Sequence, residues 1–140
     1  MKEGEIARVI VERFRSGEDI LEGLTDLVRR NNISAGSFTA LGAVDKACVG
    51  FFRGNGEYSQ IQMNGPLEIL SCIGNVSLKE GAPFVHTHIT MSDDKGRTYG
   101  GHVMPGCVVG ATFEVTLHAY TGMDLRRERD DQTKLYLLDT

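Results

Sequence analysis

From residue 33 onwards, the sequence consists almost entirely of β-strand patterns separated by turn residues. These patterns are short, apolar or alternating, and rich in Val, Ile, Phe and Thr, while Gly, Pro, Asn and Asp cluster between them. Residues 5–14 form an earlier strand pattern with apolar residues on both faces, which predicts a strand inside a sheet rather than at its rim. So many successive strands predict a mainly antiparallel sheet.

One segment has helical periodicity instead. Residues 18–31 place apolar side chains at i, i+1, i+4, i+7 and i+8, which forms a single stripe. The stripe consists of Ile20, Leu21, Leu24, Leu27 and Val28. Ser16 is the expected N-cap, and Arg29 and Arg30 complement the negative end of the helix. We therefore predict an α+β fold, with one amphipathic helix packed on the sheet and residues 1–140 forming one domain.

The connections between strands carry four further expectations. The turn-rich segment 53–57 predicts a hairpin, and Gly65-Pro66 is expected to break the chain after the returning strand. Residues 108–111 predict a short helical or irregular link. Residues 124–131 combine arginines with a matching number of acids, which predicts a solvated loop or sheet edge.

Composition limits where such a chain could work. No apolar run approaches the ~20 residues of a membrane-spanning helix, and the N-terminal residues do not form a signal peptide. A cytoplasmic protein is therefore expected. The three cysteines, Cys48, Cys72 and Cys107, are odd in number and lack CxxC spacing, so we expect reduced, buried thiols. The net charge of −4 argues against a domain that holds DNA mainly through phosphate contacts.

Three of the four histidines fall on a predicted hairpin. Residues 85–91 and 97–103 predict its two strands. The polar segment 92–96 predicts the turn between them, with Gly96 free to take a positive φ. A histidine-rich hairpin of this kind could present several imidazoles on one surface.

The spacing of these histidines can be followed across the hairpin. His86 and His88 share a face, because alternate residues of a strand point the same way. If the turn centres on Asp94, His86 faces His102 and His88 faces Gly100. Directly opposed residues also share a face, with Cβ atoms roughly 4.5–5.5 Å apart. We therefore expect three imidazoles on one small patch, although a register shift of one residue would move His102 to the other face.

Several motifs, in order along nearly the whole chain, resemble one known family. They are FTALGAV from Phe38, GPLEILSCIGNVS from Gly65, HTHITMSDDKGRTYGGH from His86, and GATFEVTL from Gly110. In these motifs the chain is similar to the plant and prokaryote conserved (PPC) domain, which plant AT-hook nuclear proteins also contain.

The resemblance implies an α/β domain that assembles as a homotrimer. It also implies a metal-binding group of three histidines, which correspond here to His86, His88 and His102. Prokaryotic members are described as DNA-binding by similarity to the plant proteins. The sequence has no AT-hook of the Arg-Gly-Arg-Pro type, so DNA is the weakest of these expectations.

Three imidazoles suit Zn²⁺ at about 2.0–2.1 Å with a fourth position left open, although copper, iron or nickel could use the same set. Glu114 is a candidate for orienting one imidazole. Arg97 and Tyr99 could line the adjoining pocket or only flank the turn. Cys107 becomes a ligand only if the turn before it folds back.

Three functional classes remain open for this chain. It could be a trimeric, metal-loaded binding module for a nucleic acid or an unknown small ligand. It could be a metal-dependent enzyme, although no well-placed general base accompanies the histidines. It could also be a structural trimer in which the histidines only satisfy hydrogen bonds. We favour the binding module and expect residues 69–76 and 112–117 to pack between subunits.

Overall fold

Eight β-strands join into one sheet, and a single helix packs against it. The structure is a computed structural model that describes residues 1–140. The elements are β1 (Glu5–Arg15), α1 (Ile20–Arg30), β2 (Gly36–Gly54), β3 (Glu57–Lys79), β4 (Ala82–Ser92), β5 (Thr98–Val103), β6 (Val108–Thr121), β7 (Arg126–Arg129) and β8 (Tyr136–Asp139). No helix is long and apolar enough to cross a membrane.

Four of the strands close into a small barrel. β2 pairs with β3, β3 with β4, β4 with β5, and β5 returns to β2, always antiparallel. The closing seam consists of only two residue pairs, Val49 with Val103 and Gly50 with His102. Outside the barrel, β6 continues the sheet beside β2, and β1 lies beyond β6. The predicted mainly antiparallel sheet with one helix is confirmed, and the closure into a barrel is an addition to it.

β7 and β8 form a C-terminal hairpin on the other side of the sheet. β7 runs parallel to the end of β3 through two residue pairs, Leu78 with Arg126 and Lys79 with Arg127. β8 then pairs with β7 in antiparallel fashion. The prediction of a solvated loop or sheet edge over residues 124–131 is therefore correct only in part, because most of these residues are exposed but β7 lies between two other strands. This segment contains a strand, and one of its arginines is buried.

The barrel is filled by apolar side chains, and α1 contacts β4 and β6. The cap of this helix is Asp19, whose Oδ1 accepts from the backbone N–H groups of Leu21 and Glu22 at 2.9 and 3.1 Å. Its Oδ2 accepts from the N–H of Gly106 at 2.7 Å, so the cap also ties the helix to the turn after β5. The prediction of Ser16 as N-cap was wrong, because the chain is still turning at that residue.

β2 and β3 are much longer than the sequence patterns predicted, because each strand continues through β-bulges at the points where its pattern is interrupted. Gly65-Pro66 does not end the strand. Between the pairs Val44–Leu67 and Lys46–Asn64, two residues of β3 oppose one residue of β2. A proline is tolerated at such a bulge because its missing N–H is not needed there. The predicted link over residues 108–111 is likewise the start of β6.

The position of β1 differs from the prediction. It is an edge strand that pairs only with β6, and most of its side chains are exposed. Val11 is 74% exposed within the single chain. The apolar residues on both faces of this strand do not reflect burial between two neighbouring strands. One of its faces remains uncovered.

Candidate metal centre

The three histidines of the hairpin lie together on the outer face of the barrel. His86 and His88 are on β4 and His102 is on β5. The residues that alternate with them on β4, Thr87 and Ile89, point inward and are each 2% exposed. This alternation is the reason that two histidines separated by one residue share a surface.

The pairing of the hairpin differs from the expected register by two residues. His88 faces His102, and Thr90 faces Gly100, so the turn centres on Lys95 rather than Asp94. Gly96 has the positive φ expected of it, +74°. Because the error is an even number of residues, every side chain keeps its predicted face. The expected convergence of the three imidazoles is therefore correct, although the partner of His102 is His88 rather than His86.

The distances within this group, which we call the histidine cluster, are short. The ring centroid of His86 lies 5.1 Å from that of His88 and 5.1 Å from that of His102, and the centroids of His88 and His102 are 5.5 Å apart. One ligand nitrogen from each residue lies within 4.8 Å of the other two. The Nδ1 atom of His102 is buried and has no hydrogen-bond partner. An unpartnered buried nitrogen beside two other imidazoles fits a metal ligand, since buried polar atoms are otherwise nearly always paired.

Gly50 shapes one side of the cluster. It pairs with His102 across the closing seam of the barrel. A Cβ atom on Gly50 would lie 2.9 Å from the ring of Tyr58, which is closer than a real contact allows. The missing side chain therefore gives the Tyr58 ring room against His102, and their centroids are 5.1 Å apart.

Arg127, from the C-terminal hairpin, lies behind His86. Its Nη2 is 3.3 Å from Nδ1 of His86 and donates to Asn75 Oδ1 at 2.8 Å. A guanidinium can only donate, so Nδ1 accepts and the proton of neutral His86 lies on Nε2. A metal ion that binds through Nε2 must displace this proton. Metal binding and the Arg127 contact are therefore coupled.

The cluster favours neutral imidazoles. Burial, together with the positive charges of Arg127 and of protonated His102 and His88, lowers the pKa of His86 to about 4. Burial also lowers the pKa of His102, with His88 and Arg127 contributing. Neutral imidazole is the form that binds metals, so these shifts keep the ligand atoms available below pH 7.

Other residues proposed from the sequence lie elsewhere. Glu114 is exposed on β6, opposite Leu41, and its side chain accepts from Thr112 Oγ1 at 3.3 Å. Arg97 Nε and Tyr99 Oη donate to Asp93 Oδ2 at 2.6 and 3.2 Å, within a separate cavity at the tip of the hairpin. The structure therefore does not bring these three side chains to the histidine cluster.

The cysteines are also separate from the cluster. All three are buried and free, as predicted. The Cys107 thiol donates to the backbone carbonyl of Cys48 at 3.1 Å and does not join the group of potential ligands. Burial raises the pKa of Cys107 to about 11, which makes its thiolate scarce at neutral pH.

Comparison with known proteins identifies the family. The Plants and Prokaryotes Conserved (PCC) domain, also written PPC, matches residues 1–121 of the 140. The chain belongs to the PCC domain family. Among curated proteins it is 30% identical over 122 residues to the bifunctional protein GlmU of a Synechococcus strain, covering 86% of this chain and 18% of that protein. The chain thus spans less than a fifth of the curated relatives that it matches.

Solved structures of other PCC-like proteins have the same fold. The metal-containing protein AF0104 from Archaeoglobus fulgidus is 32% identical, with a TM-score of 0.90 and coverage of 100% of this chain and 99% of its own. A PPC protein from Pyrococcus horikoshii is 28% identical, with a TM-score of 0.92 and coverage of 100% and 96%. A protein from Ralstonia eutropha JMP134, described as "Putative DNA-binding protein", is 26% identical, with a TM-score of 0.83 and coverage of 93% and 90%.

Arg127 is a residue beside the histidine cluster that the sequence did not predict. Arg127 lies beyond residue 121, where the PCC match ends. Within its charge-balanced segment, nothing distinguishes this arginine from its exposed neighbours Arg126 and Arg129. Arg127 is buried only because β7 pairs in parallel with β3, about 50 residues away in sequence. No local sequence signal could have identified it.

Proposed function

We propose that this PCC-domain protein is a homotrimeric binding module whose histidine cluster, His86, His88 and His102, holds a divalent transition metal ion. The observation that carries the proposal is the convergence of three ligand nitrogens within 4.8 Å, one of them from the unpartnered His102. The description of the Archaeoglobus relative as a metal-containing protein supports it. Zn²⁺ is the preferred ion, because three neutral imidazoles match its usual nitrogen ligands.

Such a site would bind rather than transform a ligand. A zinc ion held by three imidazoles keeps a fourth position for water or a ligand and can act as a Lewis acid. A hydrolytic reaction also needs a group that moves a proton. No aspartate or glutamate lines the two cavities that adjoin the cluster. A binding module is therefore preferred, and a metal-dependent enzyme that uses the same histidines is the alternative.

Metal content would test the site directly. Mass spectrometry of untagged protein should find close to one transition-metal ion per chain. The double variant His86→Ala/His88→Ala should lose it. His118→Ala is the matched control, since this fourth histidine lies on β6 outside the cluster and should leave the metal in place. Equal metal content in the double variant and the wild type would refute the site.

Exposed apolar side chains support the homotrimer. Cross-strand pairs form one row along the outer face, from Val11 through Thr116, Thr39 and Ile73 to His88. Ile73 is 56% exposed. Opposed residues share a face, so the exposed side chains of Val11 and Ile73 lie on the same face as His88 of the histidine cluster. A surface of this kind is typical of a subunit interface.

The interface we propose differs in one part from the expectation. Residues 69–76 retain exposed apolar side chains, Leu70 and Ile73, and remain candidates for contact between subunits. Residues 112–117 do not, because Phe113, Val115 and Leu117 are fully buried within one chain. We therefore propose that β1 and β3, rather than β6, supply the apolar contacts.

The assembly can be tested by light scattering. We expect a trimer at micromolar concentration. The variant Val11→Asp/Ile73→Asp should dissociate, because it places charges in an apolar interface. Ile61→Asp is the control, since Ile61 is 48% exposed on β3 but outside the row. A stable wild-type monomer would remove the proposal.

DNA is the second candidate partner, and the description of the Ralstonia relative favours it. The net charge of −4 opposes it. A mobility shift with AT-rich duplex that weakens as salt increases would support binding through phosphate contacts. An absent or salt-insensitive shift would count against it.

A further inference from the structure

A cleft of about 280 Å³ opens behind the histidine cluster, between the barrel and the C-terminal hairpin. His86 and His102 form one wall of it. Its cations are Lys79, Arg127 and Lys134. No aspartate or glutamate lines it. In a chain whose net charge is −4, a cleft with three cations and no acid is a marked local reversal of charge.

Arg127 is the most buried of these cations, with 8% of its surface exposed. Its Nε donates to Ser77 Oγ at 2.9 Å and its Nη1 to the carbonyl of Tyr136 at 3.0 Å. With the two contacts of Nη2 to Asn75 and His86, four of the five guanidinium hydrogens have partners. All of these partners are neutral. One Nη1 hydrogen therefore has no partner within the protein, and no carboxylate neutralises the guanidinium charge.

The two lysines also form no salt bridge. Neither Lys79 nor Lys134 has a carboxylate within the 4.0 Å of a salt bridge. The ammonium of Lys79 lies over two aromatic rings of the cleft, 4.1 Å from the centroid of Tyr136 and 5.4 Å from that of Phe84. These rings hold the lysine in place without neutralising it.

A buried charge without a counter-charge is costly, and proteins usually pair it or present it to a ligand. We propose that this cleft binds a small organic acid, with its carboxylate against Arg127 and Lys79 and its body against the rings of Phe84, Tyr58 and Tyr136. A guanidinium and an ammonium together match an anionic oxygen group, and the aromatic walls favour a ligand with an apolar body. The volume admits a metabolite-sized molecule.

Anion binding in this cleft would be a property separate from metal binding at the histidines. The cations of the cleft belong to β3 and the C-terminal hairpin, so they attract an anion whether or not an ion occupies the cluster. A bound metal would add positive charge beside His86 and His102 and should strengthen anion binding. By reciprocity, a bound acid should then strengthen metal binding.

The test uses benzoate as the probe, with neutral benzamide of the same shape as its control. Inorganic phosphate serves as an anion without an apolar body. Titrations by calorimetry and by backbone amide NMR at low, constant ionic strength are run first on EDTA-treated protein and then with zinc. The metal-free arm separates failure of the anion site from failure of the metal site.

We expect benzoate to bind at millimolar concentration or below, at least tenfold more tightly than benzamide and than phosphate. Lys79→Gln should weaken benzoate binding about tenfold, because hydrogen bonds to charged groups are strong. Lys95→Gln, at the exposed hairpin turn, should leave it unchanged. Arg127→Gln should abolish it. Lys79→Gln keeps the test decisive if the arginine variant disturbs the fold, since no hydrogen bond joins the Lys79 ammonium to the protein.

Three results would overturn the proposal. The first is equal affinity for benzoate and benzamide, which would assign binding to shape alone. The second is an unchanged benzoate affinity in Lys79→Gln. The third is no binding of any anion at millimolar concentration to either the metal-free or the zinc-loaded protein. Phosphate binding that equals or exceeds benzoate binding would overturn the organic part of the ligand.

Discussion

The barrel and the C-terminal hairpin are held in the molecule in different ways. The barrel strands, together with β1, β6 and α1, surround one core of 25 buried residues, and long antiparallel ladders join all of the neighbouring barrel strands except β2 and β5. The hairpin joins β3 through only two parallel pairs, and none of its residues belongs to that core. One buried arginine also connects it to the barrel strands, through Ser77, Asn75 and His86.

The difference separates two kinds of stabilisation. Apolar burial in the barrel is spread over many side chains, so it determines whether the chain folds at all. The hairpin depends on a small number of polar contacts, and those of Arg127 lead directly to a candidate ligand of the histidine cluster. Changes in the barrel should therefore act globally, while changes in the hairpin should act locally and at the site.

Phe113→Ala should have the largest effect. Phe113 is fully buried and stacks on Phe14 with centroids 5.4 Å apart. Truncation of a buried phenylalanine costs about 3–5 kcal/mol. Denaturant unfolding followed by circular dichroism would measure it, with Phe51→Ala as control, because Phe51 is 58% exposed. Similar losses in both variants would contradict this account of the core.

Arg127→Gln should destabilise the hairpin and spare the barrel. The change leaves buried acceptors around the guanidinium unpaired, at a cost of about 1–3 kcal/mol. Hydrogen exchange should show faster exchange of the β7 and β8 amides, with the amides of the barrel strand β2 unchanged. Arg129→Gln, at an exposed position of the same strand, should change neither set. Faster exchange throughout the barrel would show that the hairpin is not a separate unit.

The same Arg127→Gln variant should bind zinc several-fold more tightly. It removes a positive charge beside the cluster and frees Nδ1 of His86, so the proton on Nε2 can move when a metal binds. Competition with a chelator of known affinity would measure the change. Weaker zinc binding would mean that Arg127 chiefly holds His86 in its ligating position. Anion and metal affinity are expected to change in opposite directions in this variant.

A smaller effect concerns pH in the metal-free protein. The unfolded chain protonates His86 near its ordinary pKa of 6.5, whereas the folded chain does so only near 4. The unfolded state therefore binds more protons between these values, and stability should fall as pH decreases through this window. Because Arg127 contributes to the shift, Arg127→Gln should raise the His86 pKa and make the fall shallower. NMR titration of the imidazole would measure both; an unchanged pKa in the variant would contradict the contact.

The sequence predicted the histidine cluster better than it predicted the pairing of its strands. Alternation placed His86 and His88 on one face, and an error of two residues in the turn left His102 on that face as well. The helix was also predictable, since its apolar stripe becomes the buried face of α1. These features depend on residues close together in the chain, where periodicity is informative.

What the sequence did not predict depends on distant pairing. Closure of the barrel uses two residue pairs between β2 and β5, too few to leave a local pattern. The apolar faces of β1 indicated burial without saying what covers them, and the strand lies at the edge of the sheet. Arg127 is buried only because β7 reaches β3. None of these contacts has a signature in a window of neighbouring residues.

The attachment of the C-terminal hairpin also bears on how such a protein could diversify. The hairpin takes no part in the pairing of the barrel strands with one another, and it lies outside the residues matched to the family. A lineage could therefore exchange this segment, together with the charge it places behind His86, and inherit the barrel and its histidines intact. Ligand preference and fold would then evolve on separate parts of one domain.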